Sequence, residues 1–335
     1  MVSRLFSSIA LAFVFLLGGM VACSKQPSTA AENPGTSSST TPPPAATTQP
    51  VSATSNSVNN NVPVPNIDGN KSMQYVKEVV AFGSRPPGSE AHQKLENYIV
   101  SKLKGVDVEQ DKFTAQTPVG KFPINNIIAK FPGKKNGIIV VAGHYDTNYP
   151  LPKNYVGAND GGSSTALLLS LADQLRGKER DGYSVWLVWT DGEEAFVKWT
   201  DSDSLYGSKQ LAQKWHADGT AGKIKAFILV DMTGDADLDI QRDANSTPWL
   251  TDLVQQAATN LGYQSHFFQQ TVGMEDDHIP FAKAGIPVID LIDYTYGYNN
   301  VFHHTAEDTV DKLSAQSMAI TGDVVMETIE LLDQR

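Results

Sequence analysis

Residues 137–146 read Gly-Ile-Ile-Val-Val-Ala-Gly-His-Tyr-Asp, an uninterrupted apolar run that ends in a histidine and an aspartate. A continuous apolar run of this kind predicts a strand buried on both faces, which is typical of parallel sheets. In open sheets of parallel strands, ligands bind beyond the carboxyl ends of the strands. His144 and Asp146 stand at such an end. This stretch therefore indicates both the fold class and the edge of the sheet at which a site is expected.

The chain around this stretch alternates between strand and helix patterns. Buried or half-buried strands are predicted at 126–131, 183–190, 224–231 and 286–292. Apolar residues at helical spacing predict helices at 91–103, 163–175, 205–215, 249–261 and 313–332. Strands that alternate with helices of about 10–15 residues predict an α/β fold with a largely parallel sheet. Helices then cover both faces of the sheet, which makes a three-layer α/β/α sandwich.

Polar residues cluster where the predicted strands end. The strand 183–190 runs into Asp191-Gly192-Glu193-Glu194, the strand 224–231 ends at Asp231, and the last strand precedes His303-His304. Asp160 lies in a glycine-rich segment that opens the helix 163–175. A single acid at a strand end is usually a helix cap or a surface charge. Five loops that bring His, Asp and Glu to one edge are hard to attribute to capping.

Carboxylates and imidazoles without thiolates suit a catalytic zinc ion, which needs three protein ligands and an open position. The candidate ligands are Asp160, Glu194 and His304. His144 either binds a metal ion itself or hydrogen-bonds to a residue that does. Glu193 is adjacent to Glu194, so the two carboxylates point in different directions and Glu193 stays free to carry protons. The alternative explanation of this pair is an exposed acidic turn.

A second acidic cluster, Asp276-Asp277-His278, opens a short helix. Acids are favoured at helix N-termini, so we expect Asp277 to cap this helix and Asp276 to face the pocket. Trp199 follows the glutamate pair closely and is a plausible pocket wall, although a core position is the alternative. His92, His216 and His266 have no supporting pattern and are expected to be surface or packing residues.

Composition excludes several classes of function. The formal net charge of the 335 residues is −11, which argues against a nucleic-acid partner because such binding needs clustered lysine and arginine. Cys23 is the only cysteine. The chain therefore has no intramolecular disulfide, no cysteine zinc finger and no iron–sulfur cluster.

The N-terminal residues predict that the protein is exported from the cytoplasm. Residues 1–22 combine Arg4 with an apolar stretch and end in small residues before Cys23, as in a bacterial lipoprotein signal whose cleavage leaves a lipidated cysteine. A plain secretory signal or a membrane-anchoring helix is the alternative. Residues 23–66 are rich in Ser, Thr, Pro and Asn and predict a disordered tether. The catalytic domain then covers 67–335, and Ser24 favours sorting to the outer membrane.

The chain resembles the glutaminyl-peptide cyclotransferases, which share the fold of the zinc aminopeptidases. The resemblance covers about residues 70–335. Three motifs resemble those of both groups, namely Gly143-His144-Tyr145-Asp146, Gly157-Ala158-Asn159-Asp160 and Asp191-Gly192-Glu193-Glu194. Trp199, the segment 203–208 and Asp276-Asp277-His278-Ile279-Pro280-Phe281 look like the cyclases in particular.

This resemblance implies a zinc-aminopeptidase-like fold with a mixed sheet and one zinc ion held by Asp160, Glu194 and His304. It implies that Glu193 transfers protons, with Asp231 and Asp276 completing an acidic hydrogen-bonded network, and that Trp199 lines the glutamine pocket. The implied reaction converts the N-terminal glutamine of peptides or proteins to pyroglutamate with release of ammonia.

Two departures lie in the implied substrate pocket. His303 and Glu275 stand where the animal members have Trp and Gln, which affects subsite shape more than the reaction.

Two other functions compete with this one. A mono- or di-zinc aminopeptidase of the same fold is the first, because His144 and Asp231 match positions that bind a second zinc in two-metal peptidases. A non-enzymatic surface receptor is the second, and it is disfavoured because no ligand position holds an inert residue. We expect a monomer that meets the bilayer only through acylated Cys23.

Overall fold

The computed structural model describes residues 66–149 and 154–335, and the structural statements below concern these two ranges. The predicted signal peptide, Cys23 and nearly all of the tether lie outside them. The strands are β1 (Asp107–Thr117), β2 (Gly120–Phe131), β3 (Gly133–His144), β4 (Arg180–Thr190), β5 (Ile224–Asp231), β6 (Ile240–Asp243), β7 (Phe267–Val272) and β8 (Val288–Ile292). The α-helices are α1 (Gly69–Val80), α2 (Glu90–Lys102), α3 (Gly162–Leu175), α4 (Tyr206–Ala217), α5 (Pro248–Asn260), α6 (His278–Lys283) and α7 (Ala315–Asp333).

Six strands form one mixed sheet in the order β1-β2-β4-β3-β5-β8. The four strands β4, β3, β5 and β8 are parallel to one another, whereas β1 and β2 pair antiparallel at one edge. The predicted mixed, largely parallel sheet is therefore confirmed. The parallel strands all end at the same edge, which brings the loops after β3, β4, β5 and β8 together.

Helices cover both faces of this sheet, and the alternation along β3 shows how. Ile139 belongs to the core cluster formed with α1, α2, α3, α5 and α7. Its neighbour Val140 belongs to the opposite cluster, which includes Trp215 of α4 and Phe281 of α6. Successive side chains of a strand point to opposite faces. The uninterrupted apolar run is thus explained by a strand that is buried between two helical layers.

Local sequence sets several helix ends. Asp68 accepts hydrogen bonds from the backbone N–H groups of the first turn of α1, Ser89 caps α2 and Ser314 caps α7 in the same way. The N-terminus of α3 has no such side chain. Gly161 occupies that cap position with φ of 72°, and a Cβ there would lie 2.5 Å from the carbonyl oxygen of Asp146. Glycine thus lets the start of α3 approach the end of β3.

The structure contains elements that the sequence pattern does not signal, among them α1, β1 and a separate pair of parallel strands, β6 and β7. β1 is an edge strand with mostly exposed or half-buried residues, so it lacks an apolar run. The predicted helices and strands otherwise match the observed ones closely. Within 66–149 and 154–335, none of the helices has the length and apolar character needed to span a bilayer.

Candidate active site

A cavity of about 350 Å³ lies at the edge where the parallel strands end. Its walls come from the loops after β4, β5 and β8, the segment before α3 and the segment that opens α6. The predicted site residues among its lining are Asp160, Glu193, Glu194, Trp199, Asp231, Glu275, Asp276, His303 and His304. His144 lies beneath this cavity in contact with two of them. The structure thus brings the predicted site residues into one place.

The three candidate zinc ligands are joined through the His304 imidazole. Its Nε2 lies 3.2 Å from Oδ2 of Asp160 and 2.9 Å from Oε1 of Glu194. Ligand atoms about 2.0–2.1 Å from a tetrahedral zinc ion lie about 3.4 Å from one another. Both carboxylates are buried, and one nitrogen with two oxygens is a donor set that zinc accepts. The donor chemistry of these residues therefore suits a zinc ion.

His303 lies on the metal side of the cavity as well as on its wall. Candidate ligand atoms of Asp160, His303 and His304 lie within 4.8 Å of one another. The His303 ring stacks on the His304 ring with centroids 3.8 Å apart and meets the Tyr294 ring edge-on at 5.4 Å. The side chain of His303 therefore restricts where the His304 ring can move.

His144 contacts both neighbouring carboxylates. Its Nε2 lies 3.1 Å from Oδ1 of Asp160 and 3.2 Å from Oδ1 of Asp231. These three residues form another set whose candidate ligand atoms converge within 4.8 Å. Burial lowers the pKa of His144, but Asp231, Asp146 and Asp160 outweigh it and raise the pKa well above its usual value. The two neighbouring acids therefore favour the charged form of His144.

Several residues that sequence reasoning did not single out hold the candidate ligands in place. The Tyr155 hydroxyl donates to Oδ2 of Asp160 at 2.7 Å, and the Asn148 amide donates to Oε2 of Glu194 at 3.1 Å. Asp308 accepts from the backbone N–H groups of Asn159 and Asp160 at 2.8 and 3.2 Å. Such residues around a metal site orient its ligands. No sequence signal marks Asn148 or Asp308, because the partner of Asn148 is 46 residues away in the chain and Asp308 binds distant backbone groups. Tyr155 is only five residues from Asp160, but no motif distinguishes it from a core tyrosine.

The two adjacent glutamates diverge because Asp146 holds their backbone. Its carboxylate accepts from the N–H groups of Glu193 and Glu194 at 3.2 and 3.4 Å. Glu194 then reaches His304, whereas Glu193 lines the cavity and is 7% exposed. The alternative of an exposed acidic turn is wrong, since both glutamates are buried.

Two of the three candidate ligands on the metal side, Asp160 and His304, favour their charged forms. Burial would raise the pKa of Asp160, but hydrogen bonds with His144 and His304 outweigh burial and hold the pKa well below its usual value. Burial would lower the pKa of His304, yet Asp160 and Glu194 raise it to about 11. Burial raises the pKa of Glu194 to about 7, assisted by Asp160 and opposed by His304. This side of the cavity attracts positive charge.

The acids on the other side favour their neutral forms. Burial raises the pKa of Glu193 well above its usual value, and Glu194 and Asp276 act in the same direction against the opposing effect of His144. Burial also raises the pKa of Asp276, with further contributions from Asp231 and Asp277. A buried carboxyl with a raised pKa can hold and release a proton near neutral pH.

Asp277 does not cap α6 as predicted. Its side chain makes no capping hydrogen bond and instead accepts from the hydroxyl of Thr190 at the end of β4. The backbone N–H of Asp277 donates to Oδ1 of Asp276 at 2.5 Å. Asp277 is buried between α6 and β4, so its position follows from tertiary packing and not from helix-end propensity.

A further buried polar cluster lies behind Asp276. His278 Nε2 lies 3.2 Å from Asp243 Oδ2, and its Nδ1 lies 3.7 Å from Asp290 Oδ2. Asp290 has no accessible surface, and neither of its carboxyl oxygens has a hydrogen-bond partner among the described residues. Burial raises its pKa well above the usual value, reinforced by Asp276 and Asp231.

The three histidines without a sequence pattern differ in the structure. His92 is a buried packing residue whose Nε2 lies 2.7 Å from Asp191 and whose Nδ1 lies 3.2 Å from Glu96. This set also has converging ligand atoms, but Asn125 supplies hydrogen bonds to both carboxylates. His216 is exposed and His266 is half-buried. His92 anchors the start of the loop that carries the glutamate pair.

Some residues at or near the cavity have a strained backbone. His304 has φ of 55°, Met232 after β5 has φ of 50°, and Leu205 before α4 has φ of 55°. A positive φ is unfavourable for residues other than glycine, and such strain persists where the surrounding structure enforces it. The conformation of His304 directs its imidazole at Asp160 and Glu194.

Comparison with known proteins identifies the family of this chain. The model of peptidase family M28 matches residues 126–329. Among curated proteins, the glutaminyl-peptide cyclotransferase of Drosophila melanogaster is 32% identical over 235 residues, which cover 62% of this chain and 66% of that protein. The enzyme of the same name from Boiga dendrophila is 33% identical over 268 residues, which cover 68% of this chain and 72% of that protein.

A solved structure is more similar still. The glutaminyl cyclase of an Acidobacteriales bacterium is 47% identical, with a TM-score of 0.79, over 87% of this chain and all of that one. These matches confirm the resemblance inferred from the motifs and the zinc-aminopeptidase-like fold. The chain therefore belongs to peptidase family M28, within its branch of glutaminyl-peptide cyclotransferases.

Proposed function

We propose that this protein is a glutaminyl-peptide cyclotransferase, which converts the N-terminal glutamine of peptides or proteins to pyroglutamate and releases ammonia. The observation that carries this proposal is the position of Glu193. Its carboxyl group is buried, its pKa is raised by that burial, and it lines the same cavity as the candidate ligands Asp160, Glu194 and His304. A proton carrier beside a cation-binding set is what this ring closure requires.

An N-terminal glutamine contains both reacting groups, so the protein's main task is to position them. The bond between the α-nitrogen and the side-chain carbonyl carbon forms, and the bond from that carbon to the amide nitrogen breaks. A zinc ion held by Asp160, Glu194 and His304, one per chain, would act as a Lewis acid that polarises the side-chain carbonyl of glutamine. These ligands fit the ion, and the remaining work falls to the chain's own groups.

Glu193 takes the proton that the α-nitrogen loses and returns it to the departing amide nitrogen as ammonia forms. Asp276 raises the pKa of Glu193 and so helps it to hold this proton, and Asp231 lies around the same cavity. Trp199 offers its indole face to the methylene groups of glutamine. Glu275 and His303 complete the wall of the pocket.

An aminopeptidase of the same fold is the competing function. The convergence of His144, Asp160 and Asp231 favours it, because these residues offer ligand atoms for a second metal ion. The segments around Trp199 and at 203–208, which resemble those of the cyclases in particular, weigh against it. The named relatives also favour the cyclase.

Mass spectrometry distinguishes the two functions. The zinc-loaded full chain is incubated with a peptide that begins with glutamine, and we expect a product lighter by one ammonia. The same peptide with an acetylated α-amine is the matched control and should remain unchanged. Release of leucine from a leucine-initiated peptide, or two zinc ions per chain by elemental analysis, would contradict the proposal.

We also propose that residues 67–335 form the catalytic domain and act as a monomer outside the cytoplasm, anchored through lipidated Cys23. The motif before Cys23 and the composition of residues 23–66 support this location, and Ser24 favours the outer membrane. The variant Cys23→Ser should move the protein from the membrane fraction to the soluble fraction. Unchanged membrane association in that variant would exclude lipid anchoring at this residue.

A further inference from the structure

A second cavity of about 390 Å³ lies beside the candidate active site, between α4 and α6. Its volume falls in the range of about 300–1,000 Å³ that is typical of ligand pockets. Trp199 and Glu275 line both this cavity and the catalytic cavity, so the two cavities adjoin at these side chains. We call this second cavity the α4–α6 groove.

The walls of the α4–α6 groove are largely apolar. Leu205 and Ala212 contribute from the side of α4, and Ile279 and Pro280 contribute from α6. Trp199 stands at the junction with 37% of its surface exposed. An exposed apolar surface bordered by polar residues is typical of an interaction site.

Charges at the edge of the groove do not favour one sign. Lys209 and Lys283 are balanced by Asp201 and Glu275. The ammonium group of Lys209 also donates to the backbone carbonyls of Asp201 and Ser204 at 2.7 and 2.8 Å. Selection in the groove therefore depends on its apolar wall.

A substrate peptide must leave the catalytic cavity where exposed side chains surround its mouth. The exposed residues there are Trp199, Gly273, Glu275 and Tyr294, and of these Trp199 and Glu275 also line the α4–α6 groove. The large cavity near Tyr298, in contrast, shares no lining residue with the catalytic cavity. An extended chain advances about 3.3–3.6 Å per residue. The residues directly after glutamine are therefore the first that can reach a groove adjoining the catalytic cavity.

We propose that the α4–α6 groove binds the two residues that follow the N-terminal glutamine of the substrate and prefers large apolar side chains there. This inference rests on the proposed cyclotransferase function. Leucine or phenylalanine side chains lose apolar surface to water when they pack on Leu205, Ile279 and the Trp199 indole, which strengthens binding. Glycine gains nothing from these contacts.

The test measures kcat/KM of the zinc-loaded full chain for three amidated peptides. The peptides are Gln-Gly-Gly, Gln-Leu-Leu and Gln-Glu-Glu. We expect kcat/KM for Gln-Leu-Leu to exceed the value for Gln-Gly-Gly by about 10-fold or more, chiefly through KM, because apolar burial at a pocket discriminates by such factors. Gln-Glu-Glu should resemble Gln-Gly-Gly.

Two tryptophan substitutions on α4 assign the effect to the groove. Gln213 is exposed and lines the groove, so Gln213→Trp fills the groove. The ratio of kcat/KM for Gln-Leu-Leu to kcat/KM for Gln-Gly-Gly should then fall toward one. Ala217 is exposed at the end of the same helix and is absent from the lining, so Ala217→Trp should keep the ratio.

Equal kcat/KM values across the three peptides would overturn the groove proposal while leaving the cyclotransferase function intact. An unchanged ratio in Gln213→Trp would overturn it as well. Failure of the unmodified protein to cyclise any of the three peptides would instead count against the proposed function itself.

Discussion

The acids on the two sides of the catalytic cavity differ in their partners. Asp160 lies within 3.2 Å of imidazole nitrogens from His144 and His304, and its pKa is held well below the usual value. Glu193 and Asp276 are equally buried, but neither contacts a cationic side chain among the described residues, and burial raises their pKa values. Burial is common to both sides. Contacts with two imidazoles hold Asp160 charged and mark a cation-binding side, whereas Glu193 and Asp276 mark a proton-carrying side. Glu194 contacts one imidazole and is intermediate, with a pKa raised to about 7.

The largest expected effect comes from the proton-carrying side. Glu193→Gln keeps the shape of the side chain but removes its ability to take a proton, so kcat should fall by about 10²–10⁴-fold. The zinc content measured by elemental analysis should stay the same, because Glu194 remains in place. Glu179→Gln, a change at an exposed acid, is the control. Turnover within a few-fold of the unmodified protein would remove Glu193 from the mechanism.

A smaller effect is expected on the cation-binding side. Asp308→Asn weakens the acceptor that holds the N–H groups of Asn159 and Asp160, so the Asp160 carboxylate loses its fixed position. Zinc affinity measured by competition with a chelator should fall by about 10–100-fold. Asp311→Asn changes a fully exposed acid nearby and should leave the affinity unaltered. Equal affinities in both variants would contradict a positioning role for Asp308.

The smallest effect concerns stability and its dependence on pH. Asp290 is buried, and its pKa in the folded protein lies well above the value of about 3.9 in an unfolded chain. Its folded form therefore retains a proton that the unfolded chain releases. As pH rises above about 4, this group destabilises the fold by about 1.4 kcal/mol per pH unit until the folded pKa is reached.

Asp290→Asn removes this penalty, because asparagine has no proton to retain. We expect the variant to gain more in Tm at pH 8 than at pH 5, as measured by thermal unfolding. Asp181→Asn, at an exposed acid paired with Lys134, should show no such trend. A gain of the same size at both pH values would show that the penalty of Asp290 does not arise from its protonation.

The sequence led to the cavity residues because strand ends are a local feature. Asp160, Glu194, Asp231 and His304 each follow or precede a recognisable element, and parallel strands bring such ends to one edge. Asp308 and Tyr155 were not predicted. Asp308 accepts from backbone N–H groups, and Tyr155 donates to Asp160, which was already assigned as a ligand. His92 is a packing residue as predicted, but its partner Asp191, 99 residues away in the chain, could not be predicted.

Asp277 shows the limit of helix-end reasoning. An acid that precedes a helix is favoured as a cap, but Asp277 contacts Thr190 of a distant strand instead. Capping energies of about 0.5–2 kcal/mol are small enough for tertiary packing to override them. The antiparallel edge formed by β1 also depends on pairing with β2 and not on its own polar sequence.

The sequence by itself determined the alternation of strands and helices, the parallel core of the sheet and the identity of most residues at its functional edge, because side-chain periodicity and strand ends are local properties of the chain. Only the tertiary structure decided which acids receive an imidazole partner, which remain unpaired and where the α4–α6 groove opens. Those outcomes depend on distances between segments far apart in sequence and on the removal of water around them, and no local pattern encodes either one.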